Sequence, residues 1–329
     1  MSEPCTTCGP VEFSAAEVES GRLRRDAVRD RQAGRTPATS IVIPSLNGHV
    51  RNQLAQTLES LRATGEADEI IVGDDCSDPP LSGVRFRNPV RLGMARTRHL
   101  GCKLAAGDVI GIVDDHTRVH RGDIALAAKV AWETGGFVYA SPRDYPGVDL
   151  RMEHGVWRCK WGPPHTGMTI VQTTGIMGGF YFARRDLMES IGGWPALPGF
   201  ALWEEEFWAL YCRNAGIPVY YLPAVKHYHE WNTDQPGDAR DDFPLKAFET
   251  PEDRVLVNLV AVYRLLWDDD GWANWRSLFA AGFDFDGGAG IVRVEVPEPL
   301  LAEVETPEML EYGRMIRATY PKGAAQNNA

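Results

Sequence analysis

Gly107-Asp108-Val109-Ile110-Gly111-Ile112-Val113-Asp114-Asp115-His116 is the stretch on which the fold turns. From Val109 to Val113 it is apolar with one glycine inside, the composition of a strand buried on both faces, as in a parallel sheet. It then ends in two carboxylates and an imidazole. Open α/β sheets bind ligands in the crevice beyond the carboxyl ends of their strands, which makes Asp114, Asp115 and His116 candidates for holding a divalent metal against a phosphorylated substrate. Carboxylate oxygens suit Mg²⁺ or Mn²⁺, and an imidazole nitrogen turns the preference toward Mn²⁺. A solvated turn after a strand would read the same, so the neighbours decide.

Upstream, Ile41-Val42-Ile43-Pro44 is a short buried strand stopped by Pro44 and followed by the turn Ser45-Leu46-Asn47-Gly48. Leu54, Leu58 and Leu61 are spaced for a helix, and Glu69-Ile70-Ile71-Val72-Gly73 is a second strand ending in Asp74-Asp75-Cys76-Ser77-Asp78. Strand, helix and acid-tipped strand make a βαβ unit. Asp75 can then hydrogen-bond a nucleobase or ribose, or merely cap the turn. Arg91-Leu92-Gly93-Met94-Ala95-Arg96-Thr97-Arg98-His99 opens a helix that runs through Ala106. Its arginines suit the neutralisation of a leaving diphosphate, with pairing to surface acids as the plainer reading.

Downstream, Phe137-Val138-Tyr139-Ala140 reads as a strand, and Ser141 to Gln172 as a long irregular segment carrying His154, Trp157, Trp161 and His165. Such a segment is a candidate acceptor groove or a cover for the sheet. Gly178-Gly179 precedes the aromatic strand Phe180 to Ala183 and allows close backbone approach to a ligand, or a bulge. Trp203-Glu204-Glu205-Glu206 heads a helix running to Arg213 and stopped at Gly216, where acids are also favoured by the macrodipole. The strand from Tyr220 ends at His227-Tyr228-His229, with His229 either a third metal ligand or a packed histidine. Pro251 to Trp267 and Pro307 to Ala318 are expected helices. The expected organisation is a peripheral helix and tail over 1–36, an α/β domain over 37–232, and a mostly helical extension over 233–329 ending in a disordered tail.

A chain of 329 residues, 44% hydrophobic and 24% charged, can bury one large α/β core with an appendage. Its net charge of -11 repels nucleic acid and anionic membrane as a whole, leaving only a local patch such as Arg22 to Arg35 for them. No apolar run reaches membrane-spanning length and the amino terminus lacks signal-peptide regions, so a soluble cytoplasmic protein without a membrane span is expected. The six cysteines are scattered, and Cys5-x-x-Cys8 has no second pair at zinc-site spacing.

Taken in order, these blocks resemble the GT-A glycosyltransferases of the family 2 type, across about residues 39–232. They are the Ile-Val-Ile-Pro strand, the Asp-Asp-x-Ser-Asp turn, the Arg-x-Gly-x-x-Arg-x-Arg helix start, the Asp-x-His, the Gly-Gly-Phe and the Trp-x-x-Glu helix start. Within that superfamily the likeness is closest to the catalytic domain of polypeptide N-acetylgalactosaminyltransferases, whose metal motif is also Asp-x-His. The resemblance implies a Rossmann-like mixed sheet, mostly parallel and flanked by helices, with a C-terminal helical extension. It puts Asp75 on uracil or its ribose, Arg91 on the nucleotide, and Asp114, His116 and His229 on Mn²⁺ or Mg²⁺. Gly178 and Gly179 would face the donor sugar, and Pro44 and Asp115 complete the implied donor contacts. Trp203 and Glu206 match the family's Trp-Gly-Gly-Glu, but Glu204 and Glu205 replace its glycines and bring in the acidic signature of inverting relatives. There Glu205 or Glu206 would be the general base. A retaining enzyme would rely on the metal, the diphosphate and positioning, so the stereochemistry stays open.

The expected activity is metal-dependent transfer of a hexose or N-acetylhexosamine from a UDP-sugar to a hydroxyl of a protein, glycan or small molecule. The alternatives are a degenerate nucleotide-sugar-binding protein and a glycosyltransferase of modified nucleic acid. A nucleotidyltransferase would show a Gly-rich phosphate loop after the first strand, which Pro44 to Gly48 is not.

Overall fold

The computed structural model describes residues 36–48, 52–141, 147–153, 156–162, 167–198, 203–225, 227–229, 251–281 and 298–321. The first half runs β1 (Thr39–Ser45), α1 (Gln53–Thr64), β2 (Glu69–Asp74), β3 (Phe86–Arg87), α2 (Met94–Leu104), β4 (Val109–Val113), β5 (Thr117–Arg118), α3 (Asp123–Thr134) and β6 (Phe137–Ala140). The second continues β7 (Val148–Glu153), β8 (Val156–Trp161), β9 (Val171–Thr173), β10 (Phe180–Arg184), α4 (Arg185–Ser190), α5 (Glu204–Ala215), β11 (Val219–Tyr221) and β12 (Tyr228–His229). Four helices follow, α6 (Pro251–Leu266), α7 (Asp269–Ala281), α8 (Glu298–Val304) and α9 (Pro307–Arg317). The arm with Cys5, Cys8 and Arg22 to Arg35, His154, His165 and the C-terminal tail lie outside the described residues.

Eight strands form one mixed sheet in the order β3-β2-β1-β4-β10-β6-β11-β9. Parallel pairing joins β1 to β2 and β4, β2 to β3, and β6 to β11. Two strands run against this direction, β10 between β4 and β6, and β9 beside β11. Both sheet faces are buried, which is why the strands read as unbroken apolar runs. Alternation splits them between two cores. Ile41, Ile43, Val113, Phe180 and Phe182 pack with α1 and α3, whereas Val42, Ile112, Tyr139 and Tyr181 pack with α2 and α5. That second core continues without a break into Val260, Tyr263 and Trp275 of the C-terminal helices.

Three sequence expectations need correcting. Pro44 does not stop β1, which continues to Ser45. The carbonyl of Ser45 accepts from Asp75 N, so alternation turns Pro44 toward β4, whose ladder with β1 has already ended at Val42; its missing N–H costs no bond there. The segment from Ser141 to Gln172 is not irregular throughout, because β7 and β8 form an antiparallel hairpin and β9 is a sheet edge. The strand from Val219 ends at Tyr221, and Tyr228–His229 is a separate two-residue strand paired with β5. Among the described residues no helix is long and apolar enough to cross a membrane.

Candidate active site

The carboxyl ends of β1, β2 and β4 converge, and two loop-to-loop bonds fasten the first pair. Asn47 N donates to Ser77 Oγ at 2.8 Å, and Asp78 N donates to Asn47 Oδ1 at 3.1 Å. Asp74 caps the turn that follows β2, accepting from Ser77 N and Leu81 N and pairing with Arg87. Asp75 faces the other way and is wholly buried. Its Oδ1 accepts from Leu92 N and Asn88 Nδ2, each at 2.8 Å, and its Oδ2 from Gly93 N at 3.0 Å. The carboxylate therefore shapes the Arg91-Leu92-Gly93 approach to α2, with half-buried Arg91 at its outer end.

At the end of β4, Asp114 N donates to Gly179 O at 3.0 Å. Gly178 has φ +124°, and a Cβ there would lie 2.6 Å from Ala140 O, so glycine is required by the protein's own packing. Asp114 Oδ1 accepts from Arg98 Nη2 at 2.6 Å, while Arg98 Nη1 reaches Glu204 Oε1 at 2.7 Å. Trp194 Nε1 donates to the same Glu204 oxygen at 3.0 Å. Arg98 is 6% exposed. Burial opposes its charge, but Glu204 and then Asp114 more than restore it, so the guanidinium stays protonated.

The three glutamates at the head of α5 have three environments. Glu204 is buried on Arg98. Glu205 keeps partial exposure, and its Oε1 accepts from Tyr181 Oη at 2.5 Å. Enclosure and then the Glu204 charge push its pKa up to about 7, against the Tyr181 hydrogen bond, which favours the carboxylate. Glu206 is buried and accepts from Tyr263 Oη of α6 at 3.3 Å. That hydroxyl also holds the backbone of Trp157 in β8. Trp203, just before the helix, sits at φ 67°, a left-handed conformation costly for a bulky residue and common at functional sites.

The metal-binding expectation can be tested on the donor set. Asp114 offers carboxylate oxygen, and His116 has its Nδ1 2.9 Å from Asp115 Oδ1, the carboxylate–histidine arrangement typical beside a metal-ligating imidazole. Burial lowers the His116 pKa, and the Asp115 hydrogen bond with the two aspartate charges raises it overall. The pair fits a divalent cation. Backbone pairing of His229 with Thr117 brings the third expected ligand alongside this turn, its side chain lying outside the described residues. His227, by contrast, is buried with its ring stacked on Phe180 at 5.1 Å. Among the described residues no group of three acidic, histidine or cysteine side chains forms a complete cage.

Sequence reasoning missed Ser45, Tyr181, Trp194 and the bridging part of Arg98. A hydroxyl inside an otherwise apolar aromatic strand, as at Tyr181, was the available signal.

Residues 40–192 match the Glycosyl transferase family 2 model. No curated protein matches the chain. The crystal structure of GalNAc-T7 with UDP, GalNAc and Mn²⁺ superposes at a TM-score of 0.56 and 18% identity, covering 75% of this chain and 51% of that one. The chain thus spans about half the length of that protein, and the likeness is one of fold. Weaker likenesses are to the mannosyltransferase PcManGT from Pyrobaculum calidifontis in complex with GDP-Man and Mn²⁺, TM-score 0.42, 15% identity, 92% and 94% covered, and to S. aureus TarS 1–349 in complex with UDP-GlcNAc, TM-score 0.45, 15% identity, 85% and 88% covered.

Proposed function

We propose that this chain, which carries a glycosyltransferase family 2 domain of the GT-A fold, moves a hexose or N-acetylhexosamine from a UDP-sugar to an acceptor hydroxyl with a divalent cation. The observation that carries the reading is the Arg98 bridge, which ties Asp114 at the end of β4 to Glu204 at the head of α5. A donor diphosphate end and an acidic helix end thereby belong to one site. Asp114 and His116, with His229, would hold Mn²⁺ or Mg²⁺. Such an ion supplies Lewis-acid neutralisation of the departing nucleoside diphosphate.

The chain's own residues do the rest. Asp75 acts on the nucleotide through the Arg91-Leu92-Gly93 loop that it shapes, and Pro44 and Gly178-Gly179 wall the donor pocket. Glu205 takes the proton of the acceptor hydroxyl, for which a pKa near 7 and partial exposure suit it better than buried Glu206. That assignment favours inversion over the retaining chemistry of the N-acetylgalactosaminyl likeness. The acceptor class stays with hydroxyl-bearing molecules in general.

Nucleotide release should settle the donor. Purified protein with a panel of UDP-sugars and GDP-mannose should release UDP from one of them, lose this with chelator and regain it with Mn²⁺. Asp114→Ala or His116→Ala should abolish release while the far-ultraviolet circular dichroism stays unchanged. Full release by either variant would sink the metal assignment, and release from GDP-mannose alone would overturn the UDP donor.

A further inference from the structure

Asp115 lies beside the expected metal ligands, and both of its oxygens have partners within the protein. Oδ2 accepts from Ser45 Oγ at 2.5 Å, and Oδ1 faces His116 Nδ1 at 2.9 Å. Its carbonyl is held as well, accepting from Thr57 Oγ1 of α1 at 2.8 Å. The side chains of His116 and Asp115 are 22% and 15% exposed, whereas Ser45 is fully buried. The turn after β1 closes tightly on this group, since a Cβ on Gly48 would lie 2.2 Å from Ser45 Oγ and 3.0 Å from Asp115 Oδ2. Nothing larger than glycine fits there without displacing the hydroxyl or the carboxylate.

We propose that Ser45 and Asp115 form a positioning relay for His116: Ser45 fixes Asp115, and Asp115 fixes the imidazole as the Nδ1–H tautomer with its ligating lone pair on Nε2. The two residues act through His116 and do not themselves bind the cation or the donor. A carboxylate on the remote nitrogen fixes ring orientation and raises ligand basicity, and loss of such a partner typically weakens metal affinity about 10–100-fold. The relay gives the Pro-Ser-Leu-Asn-Gly turn a purpose. Its serine and glycine, three residues apart, form the wall against which the end of β4 is set.

The inference rests on the reading of His116 as a metal ligand, and one set of titrations separates the two. Mn²⁺ binding is measured by the electron paramagnetic resonance signal of the free ion, with no donor or acceptor present. Expected are loss of tight binding in His116→Ala, a decrease of about 10–100-fold in Asp115→Ala, and a smaller decrease in Ser45→Ala. Asp115→Asn should fall between wild type and Asp115→Ala, because a carboxamide oxygen still accepts from Nδ1–H. The ¹⁴N coupling of the bound ion should be present in wild type and altered in Asp115→Ala, a signature that general loosening of the fold would not produce. If Asp115→Ala fails to fold, Asp115→Asn and Ser45→Ala carry the test. Unchanged affinity in Asp115→Ala and Ser45→Ala, with loss in His116→Ala, overturns the relay and spares the metal ligand. Weaker binding in Asp115→Ala with unchanged or tighter binding in Ser45→Ala makes Asp115 itself a ligand and also overturns the relay. Unchanged affinity in His116→Ala overturns the ligand reading beneath it.

Discussion

Asp114-Asp115-His116 at the end of β4 and Glu204-Glu205-Glu206 at the head of α5 are polar triplets of similar charge, held in opposite ways. After the strand, the backbone turns and successive side chains diverge to separate elements, Asp114 to α2 and Asp115 back to β1. In the helix, successive residues point about 100° apart, so three neighbours reach three environments. Glu204 meets Arg98 and Trp194, Glu205 meets Tyr181, and Glu206 meets Tyr263. What differs between identical glutamates is the partner, and the partner decides whether the group closes a buried ion pair, as Glu204 does, has its pKa pushed up to about 7, as Glu205 does, or serves as a staple, as Glu206 does. Among the described residues, Arg98 is the one cation that pairs with both triplets.

The two triplets are most easily parted at Arg98. Arg98→Ala leaves Asp114 and Glu204 facing each other without the buried positive charge between them, and stability in urea should fall by about 3–5 kcal/mol. Arg98→Lys should recover only part, because one ammonium cannot copy a planar fork reaching two acids. An unchanged unfolding midpoint in Arg98→Ala would mean that the triplets are not joined through it.

The glutamates can be separated next. Glu205→Gln should lower kcat by about 10²–10⁴-fold, the usual contribution of a general base, whereas Glu206→Gln should leave kcat nearly intact and cost about 1 kcal/mol of stability. Their pH behaviour differs too. Glu205 rises from the ordinary 4.5 to about 7 in the folded protein, so its contribution to stability is fully present below 4.5 and is lost as pH rises through about 7. Thermal unfolding of Glu205→Gln should therefore lack that decline and exceed wild type at pH 8. A parallel decline in the variant would assign the titration elsewhere.

The strands of the sheet were legible because burial on both faces leaves a continuous apolar run, as in Ile41 to Ile43 and Val109 to Val113. The acid-tipped ends were legible for the same reason, since polarity begins abruptly where the sheet stops. The β7–β8 hairpin was harder to see. Val148-Asp149-Leu150-Arg151-Met152-Glu153 does alternate, but glycines, prolines and aromatics around it mask a pattern only six residues long. The bonds that build the site were invisible for another reason. Arg98 and Glu204 are 106 positions apart, and Ser45 and Asp115 are 70 apart, so only the assembled sheet and its flanking helices bring them together. Sequence spacing gave Glu205 and Glu206 equal claims as base, and the distinction lies in Tyr181 and Tyr263, neither of which has any local relation to them.

Tyr181 offers the finest test. Its hydroxyl donates to Glu205 and stabilises the charged carboxylate, working against the enclosure that raises the pKa. Tyr181→Phe removes one hydrogen bond without altering the ring that packs between Phe137 and Trp194. The Glu205 pKa should then rise further, moving the acid limb of kcat/KM to higher pH by about one unit, the size expected for one hydrogen bond to a charged group. The plateau at alkaline pH should stay close to wild type, since the base is still present once it is ionised. A limb that moves in Tyr181→Phe ties the catalytic titration to the α5 triplet. A limb that stays in place, with Tyr181→Phe otherwise active, assigns it to a group other than Glu205 and dissolves the division of labour between Glu204, Glu205 and Glu206.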